Sequence, residues 1–251
     1  MTVEAGGRLY LGKDALASSM ARALARKCAE NGNRVIVAGR DMDDLKSLAT
    51  DLEARGAEIG EAVKFDATDA KSFAPLLKKA ELEPGELNVA VFVGNMPSQE
   101  EIDADPALID SVVTTNYAGP ARFLSEIAPL LEARAGGTIV GIASVAGDRG
   151  RVGNYVYGSA KAGFATYLAG LRNRLTRAGA HVVTVKPGFV DTSMTWGIQG
   201  MFLVASPDKV AGDILKAVEK QKNVIYTPGF WWLIMTIIKL VPERIFKKLS
   251  I

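Results

Sequence analysis

The sequence predicts a single-domain, doubly wound α/β fold, a parallel sheet with helices on both faces. Three observations predict it. Short runs rich in Val and Ile, such as RVIVA, VAVFV and HVVTVK, are near-continuously apolar, as strands covered on both faces must be. Amphipathic segments of helical length separate them and supply the crossover that each parallel pair needs. No repeat and no Pro/Gly-rich linker divides the 251 residues, a length that one α/β domain commonly reaches.

The elements follow in order. RLYL (8–11) is the first strand, and an alanine-rich amphipathic helix runs from it to Gly32. RVIVA (34–38) is the second, followed by the helix DDLKSLATDLEARG, which opens on aspartates and stops at Gly56 as helix ends require. AVKF (62–65), VAVFV (89–93), TIVGIA (138–143), HVVTVK (181–186) and VIYT (224–227) complete the strands. Residues 1–228 form the domain; 229–251 are an apolar and basic helical tail, either part of that domain or an interfacial anchor.

Bulk composition excludes several functions. Lys and Arg number 30 against 28 acidic residues, so no one-sided basic surface argues for nucleic acid. The one Cys and one His cannot build a zinc site, and a lone Cys makes no internal disulfide, so no metal is expected. MTVEAGGRLY has no apolar core of a secretory signal, which points to the cytoplasm. His181 begins a strand without a serine-acid partnership, Cys28 falls among core positions, and the acidic run 99–106 reads as a solvated loop leading to a helix.

In such folds ligands bind beyond the carboxyl ends of the strands. Ser144 lies just past the fifth strand, and Tyr157 and Lys161 share one face of the next helix at i and i+4. A phenol titrates near pH 10, too high for acid-base work at neutral pH. An ammonium about 4 Å away favours the phenolate by about 4 kcal/mol at an effective dielectric near 20, which moves it toward the useful range. Asn116 lies on the preceding helix, in TTNYAG, and KPGFVDTS follows the sixth strand.

TNYAG with Asn116, SVAG with Ser144, YGSAK with Tyr157 and Lys161, and PGFVDT with Thr192 resemble the short-chain dehydrogenase/reductase family over nearly the whole chain. The resemblance implies a Rossmann-like fold and hydride exchange with a nicotinamide. Tyr157 passes the proton, Ser144 binds the substrate oxygen, Lys161 acidifies the phenol and holds the ribose, and Asn116 supports a proton-relay water. It places Asp66 and Ala67 of KFDATD, Gly94 of VFVGN, and Pro187, Gly188, Val190 and Thr192 against the cofactor. Phe92 and Val93 replace the polar and small partners of the family's turn at Gly94. Arg40, where an acidic residue selects NAD, favours the phosphate of NADP, with NAD as the alternative. Many relatives are oligomers, so a homo-oligomer is implied.

The first turn departs from the pattern. The family's T-G-x-x-x-G-x-G is replaced by Gly12, KDALAS, then Ser19, Met20 and Ala21, nearly one helical turn longer. On one reading the extra residues extend the helix into the phosphate site, leaving a cofactor-free binding or scaffold protein. On the other, the turn resembles that of enoyl-acyl-carrier-protein reductases. Ser18 or Ser19 then offers a hydroxyl and an N–H to the diphosphate. An enoyl reductase is a lesser alternative, because that group spaces its tyrosine and lysine more widely.

Two features bear on the substrate. Asp148, Arg149, Gly150 and Arg151 sit between Ser144 and Tyr157, as a solvated loop or a pair of arginines for a phosphate. Phe230 to Leu240 is nearly all apolar, too short for the about 20 residues of a membrane span, but with Trp231, Trp232, Arg244, Lys247 and Lys248 it has the make-up of a peripheral anchor. The tail and SVAGDRGRVGNYVYGSAKAG are similar to reductases of lipid-linked keto-pentoses, the decaprenylphosphoryl type. That implies a small-molecule or lipid-linked ketone at a membrane surface.

Overall fold

A computed structural model describes residues 8–11, 18–192 and 203–249. In chain order these are β1 (Arg8–Leu11), α1 (Ser19–Glu30), β2 (Arg34–Gly39), α2 (Met42–Ala54), β3 (Ile59–Lys64), α3 (Phe73–Leu82), β4 (Asn88–Val91), α4 (Gln99–Ala104), α5 (Leu108–Val113), α6 (Gly119–Arg134), β5 (Thr138–Ile142), α7 (Tyr155–Thr176), β6 (His181–Pro187), α8 (Pro207–Glu219), β7 (Val224–Thr227), α9 (Trp231–Leu240) and α10 (Glu243–Phe246).

The strands form one parallel sheet in the order β3-β2-β1-β4-β5-β6-β7. Strand order therefore reverses between β1 and β4, the place where α/β sheets open a ligand crevice. All seven expected strands are present, β1 and β7 with the expected ends and the other five with shifted ones. β3 starts at Ile59 rather than 62 because it is an edge strand, whose partly exposed Gly60 and Glu61 break the apolar run. β4 stops at Val91, the last residue paired with both Leu11 of β1 and Gly141 of β5.

The two faces carry separate cores. On one, Phe65, Phe73 and Phe123 pack with ring centroids 5.1–5.4 Å apart and join α3, α6 and α7 to the sheet. On the other, Leu24, Cys28, Leu45, Leu52 and Ile214 join α1, α2 and α8. Cys28 is buried there, as a small apolar filler would be. α2 starts as expected, its cap Asp41 accepting the N–H groups of Asp43 and Asp44.

The tail packs on the domain. Trp231 and Met235 of α9 form a buried cluster with Val145, flanked by Phe189 and Tyr226. None of the described helices is long and apolar enough to cross a membrane.

Candidate active site

The chain past β5 turns sharply through Val145–Asp148. Ser144 holds this turn, its Oγ accepting the Ala146 N–H at 3.1 Å, which leaves the hydroxyl proton for another partner. α7 lies directly on the turn, backbone against backbone. A Cβ on Gly147 would sit 2.7 Å from the Ala162 nitrogen, and one on Gly158 would sit 2.7 Å from the Ala146 oxygen. Only glycine permits that approach, and the approach brings the Tyr157 phenol near the Ser144 hydroxyl, which pulls its pKa downward.

Tyr157 and Lys161 are both buried. Lys161 Nζ donates to the Ile142 carbonyl at 3.0 Å and the Val93 carbonyl at 3.4 Å, and lies 5.8 Å from the Tyr157 ring centroid. Burial pushes the phenol up to about 12, against a downward pull from Ser144, and pushes the ammonium down to about 7. The acidified phenol expected from the i, i+4 spacing is thus not what the protein alone presents. Lysine is turned to two carbonyls, and desolvation outweighs its attraction for the phenolate.

Asn116 is fully buried in a π-helical turn, Thr114–Ala118, between α5 and α6. Such bulges widen a helix and recur at functional sites. Its Nδ2 donates to Asn95 O and Asn95 Oδ1, both at 2.8 Å, and to Val112 O at 3.0 Å, while its Oδ1 has no partner. A Cβ on Gly119 would fall 2.1 Å from the Ala67 oxygen, so this glycine seats the turn against the loop after β3.

At the crevice a cavity of about 170 Å³ is lined by Arg40, Phe65, Asp66, Ala67, Thr68, Val93, Ser111 and Thr115. Three of the expected cofactor residues, Arg40, Asp66 and Ala67, therefore converge. Asp66 Oδ1 accepts the N–H and hydroxyl of Thr68, both at 2.8 Å; the cap of the following short helical turn is Asp69. Gly94 is buried beside Val93. Phe92 packs into the opposite core with α1 and α8, so of the two bulky replacements only Val93 narrows this space. Thr68, Ser111 and Thr115 were not expected; hydroxyls this far apart in sequence carry no local signal.

The dinucleotide's other expected contacts are placed as follows. Ser18 caps α1, accepting the Ala21 N–H at 3.3 Å in a non-helical conformation, and the first turn, with Ser19 and Met20, holds no acidic residue. The helix thus starts at Ser19, and its cap suits an anion. Gly12 and the rest of 12–17 lie outside the described residues. Pro187 ends β6, and the Trp231 indole of α9 rests on Gly188, where a Cβ would lie 1.9 Å from its Nε1. Val190 bridges Ala205, and Thr192 is half-buried.

In the loop between Ser144 and Tyr157, Gly150, Val152, Gly153 and Tyr155 are exposed, but Asp148 and Arg149 are turned to protein partners. Asp148, 2% exposed, is held by Lys186 Nζ at Oδ1 and by the Tyr226 hydroxyl at Oδ2 (2.6 Å). Arg149 reaches the end of α9, donating to the Ile238 and Val241 carbonyls, with a longer contact to Lys239 O. It also pairs with Glu243 at 2.9 Å and stacks 3.6 Å over the Phe246 ring. Of the two arginines considered for a phosphate, Arg149 is therefore committed to the tail. The His181 ring lies 3.2 Å from the Lys222 carbonyl, and its backbone N–H donates to the Gly137 carbonyl in the sheet. No group of three or more Cys, His, Asp or Glu able to hold a metal occurs among the described residues.

Comparisons with known proteins agree with this fold. The family described as short chain dehydrogenase matches residues 15–201. An uncharacterized oxidoreductase of Mycobacterium tuberculosis is 30% identical over 242 residues, covering 96% of this chain and 95% of its own. One of Myxococcus xanthus is 32% identical, covering 71% and 70%. Among solved structures, a short-chain dehydrogenase of Sphingobium yanoikuyae in complex with NADPH superposes with a TM-score of 0.78 at 21% identity, over 95% of this chain and 97% of its own. An actinorhodin polyketide ketoreductase with NADPH gives 0.78 at 21% identity, over 92% and 98%.

Proposed function

The chain belongs to the short-chain dehydrogenase family, and from that premise we propose that it reduces a ketone with NADPH, Tyr157 delivering the proton. The observation that carries this reading is the buried Tyr157 phenol, with the buried Lys161 Nζ 5.8 Å from its ring and Ser144 close enough to act on it, raised by burial to about 12. Reduction needs a protonated donor, because a developing alkoxide is more basic than a phenolate. A phenol raised this far stays protonated throughout the neutral range.

A bound nicotinamide supplies the hydride; the remaining work falls to side chains. Ser144 hydrogen-bonds the carbonyl oxygen through its hydroxyl, stabilising charge as it forms without transferring its proton. Tyr157 gives up its proton to that oxygen. Lys161, near 7 while it faces only carbonyls, gains charge as hydroxyl acceptors and a forming phenolate come near it. Ser18 and Ser19 at the α1 cap fit a diphosphate. The Arg40 cavity, smaller than the roughly 300–1,000 Å³ of a whole-ligand pocket, suits the adenosine end. Lys64, donating to the Arg40 carbonyl, adds a second cation suited to the extra phosphate of NADP.

Saturation with NADPH at about 100 times Kd should add about 2.7 kcal/mol, a rise in Tm of roughly 5–10 °C, with a smaller rise for NADH. The absence of a shift with either would favour the cofactor-free scaffold.

The tail supports an apolar or lipid-linked ketone. α9 buries Trp231 and Met235 but exposes Trp232, Leu233, Ile237 and Leu240, and exposed Lys239, Arg244, Lys247 and Lys248 border this face. Apolar and aromatic residues rimmed by cations match an anionic bilayer surface. Replacing Trp232 and Ile237 with Ser should reduce co-sedimentation with anionic liposomes without lowering Tm. Unchanged sedimentation, or loss of an oligomer, would assign the face to contact between copies instead.

A further inference from the structure

α7 carries Tyr157 in its first turn, and the first N–H groups of a helix have no partner within it. Among the described residues, Asn154 stands at the cap position of α7 but its side chain makes no cap bond. The acceptor comes instead from α4, 57 residues back in the chain. Gln99, buried at the start of α4, accepts the Val156 N–H at Oε1 (3.2 Å) and donates from Nε2 to Asp103 Oδ1 (2.9 Å), one turn along the same helix. Asp103 Oδ1 also accepts the Tyr155 hydroxyl. That hydroxyl, and then the Gln99 amide, hold the Asp103 carboxyl below its ordinary range, so it stays an acceptor at neutral pH and turns the amide oxygen of Gln99 toward α7. The stretch 99–106, expected to be a solvated loop leading to a helix, is thus itself helical from Gln99 to Ala104, because Ser98 and Glu101 close a capping box at its entry. Its Ile102 packs in the cluster of Val156, Tyr157 and Ala160. Just before it, Asn95 accepts the Asn116 amide at both of its oxygens. One segment after β4, residues 95–103, therefore meets both the Tyr157 helix and the Asn116 turn.

We propose that Gln99 is a positioning residue for Tyr157, its amide oxygen pinning the first turn of α7 and so fixing where the phenol stands. Helix ends fray unless their free groups are held, and the Val156 N–H is the group next to Tyr157 in the chain. Without Gln99 that N–H is a buried donor facing no acceptor, and the turn gains freedom where proton delivery needs it least. A misplacement of about 1 Å at a reacting group can cost about 10²-fold in rate. The inference rests on the reading of Tyr157 as proton donor.

The test uses Gln99→Met, which fills the same space without either polar group, and the double variant Gln99→Glu with Asp103→Asn. The double variant exchanges donor and acceptor across the pair. Its new carboxylate still accepts from Val156, and its new amide donates to that carboxylate while accepting the Tyr155 hydroxyl. Amide hydrogen exchange at Val156, read by NMR, should quicken about tenfold in Gln99→Met while the middle of α7 is unchanged. NADPH oxidation with acetophenone as probe should show kcat lowered about tenfold, KM for NADPH little changed and Tm lower by only a few degrees. The double variant should recover most of the exchange protection and of kcat. Wild-type exchange at Val156 in Gln99→Met would overturn the proposal, as would a lowered Tm with kcat unchanged or a double variant no better than Gln99→Met. Failure of the ketone-reductase reading shows separately, as NADPH giving no rise in Tm, and the exchange rates then decide this site by themselves.

Discussion

Tyr157→Phe is expected to reduce kcat by about 10²–10⁴-fold, the usual worth of a positioned proton donor, while NADPH affinity stays close to that of the wild type. The ring is buried in a cluster with Ile102, Val112, Ala146 and Val156, and phenylalanine preserves that packing. Removing the phenol hydroxyl costs at most one neutral interaction, about 1 kcal/mol, so Tm should fall by only a few degrees. The two readouts separate chemistry from folding. Retained turnover would remove Tyr157 from the mechanism; lost cofactor binding would mean that the phenol shapes the nicotinamide site rather than serving it. Steady-state NADPH oxidation and NADPH fluorescence titration provide both measurements.

Much of the fold was legible because its signals are local. The Val/Ile runs, Gly32 with φ +72° and Gly56 with φ +106° are each set by a few neighbouring residues, whereas the crossover rule restricts the strand order without fixing it. The Ser144, Tyr157 and Lys161 constellation was legible for the same reason, since one strand end and one helix carry it. What the spacing alone did not disclose was the balance of desolvation against charge at Tyr157. That depends on how completely the sheet and α7 exclude water. Nor did it disclose that Arg149 contacts carbonyls 89 to 92 residues away, or that Ser111 and Thr115 share a cavity with Arg40. Long-range contacts leave no periodic trace in a single sequence. The 148–151 loop reads as solvated because it is polar, yet Asp148 faces Lys186 and Tyr226 and Arg149 faces a tail that follows much later in the chain.

That tail carries the second large effect. Arg149 ties the Ser144 turn to the end of α9 through the Ile238 and Val241 carbonyls, the second at 2.6 Å, and to α10 through Glu243 and the Phe246 ring. A cation at the carboxyl end of a helix meets both its orphaned carbonyls and the negative end of its dipole. Arg149→Ala strands those carbonyls and removes the stacking, a cost of roughly 3 kcal/mol, or a fall in Tm of about 6–12 °C. Arg149 is a positioning residue, so its effect should reach catalysis through two loops at once. α9 supports the Ser144 turn through Val145 and covers Gly188 after β6 with Trp231, and releasing its end loosens both. At temperatures where the variant is still folded, kcat should fall with KM for NADPH little changed, since the adenosine cavity and the α1 cap lie beyond the tail's reach. Arg149→Lys should recover only part of both losses, because one ammonium cannot span two carbonyls, a carboxylate and a ring as a guanidinium does. A variant with unchanged Tm, or one that lowers Tm without touching kcat, would show that the tail packs on the domain without setting its active-site loops.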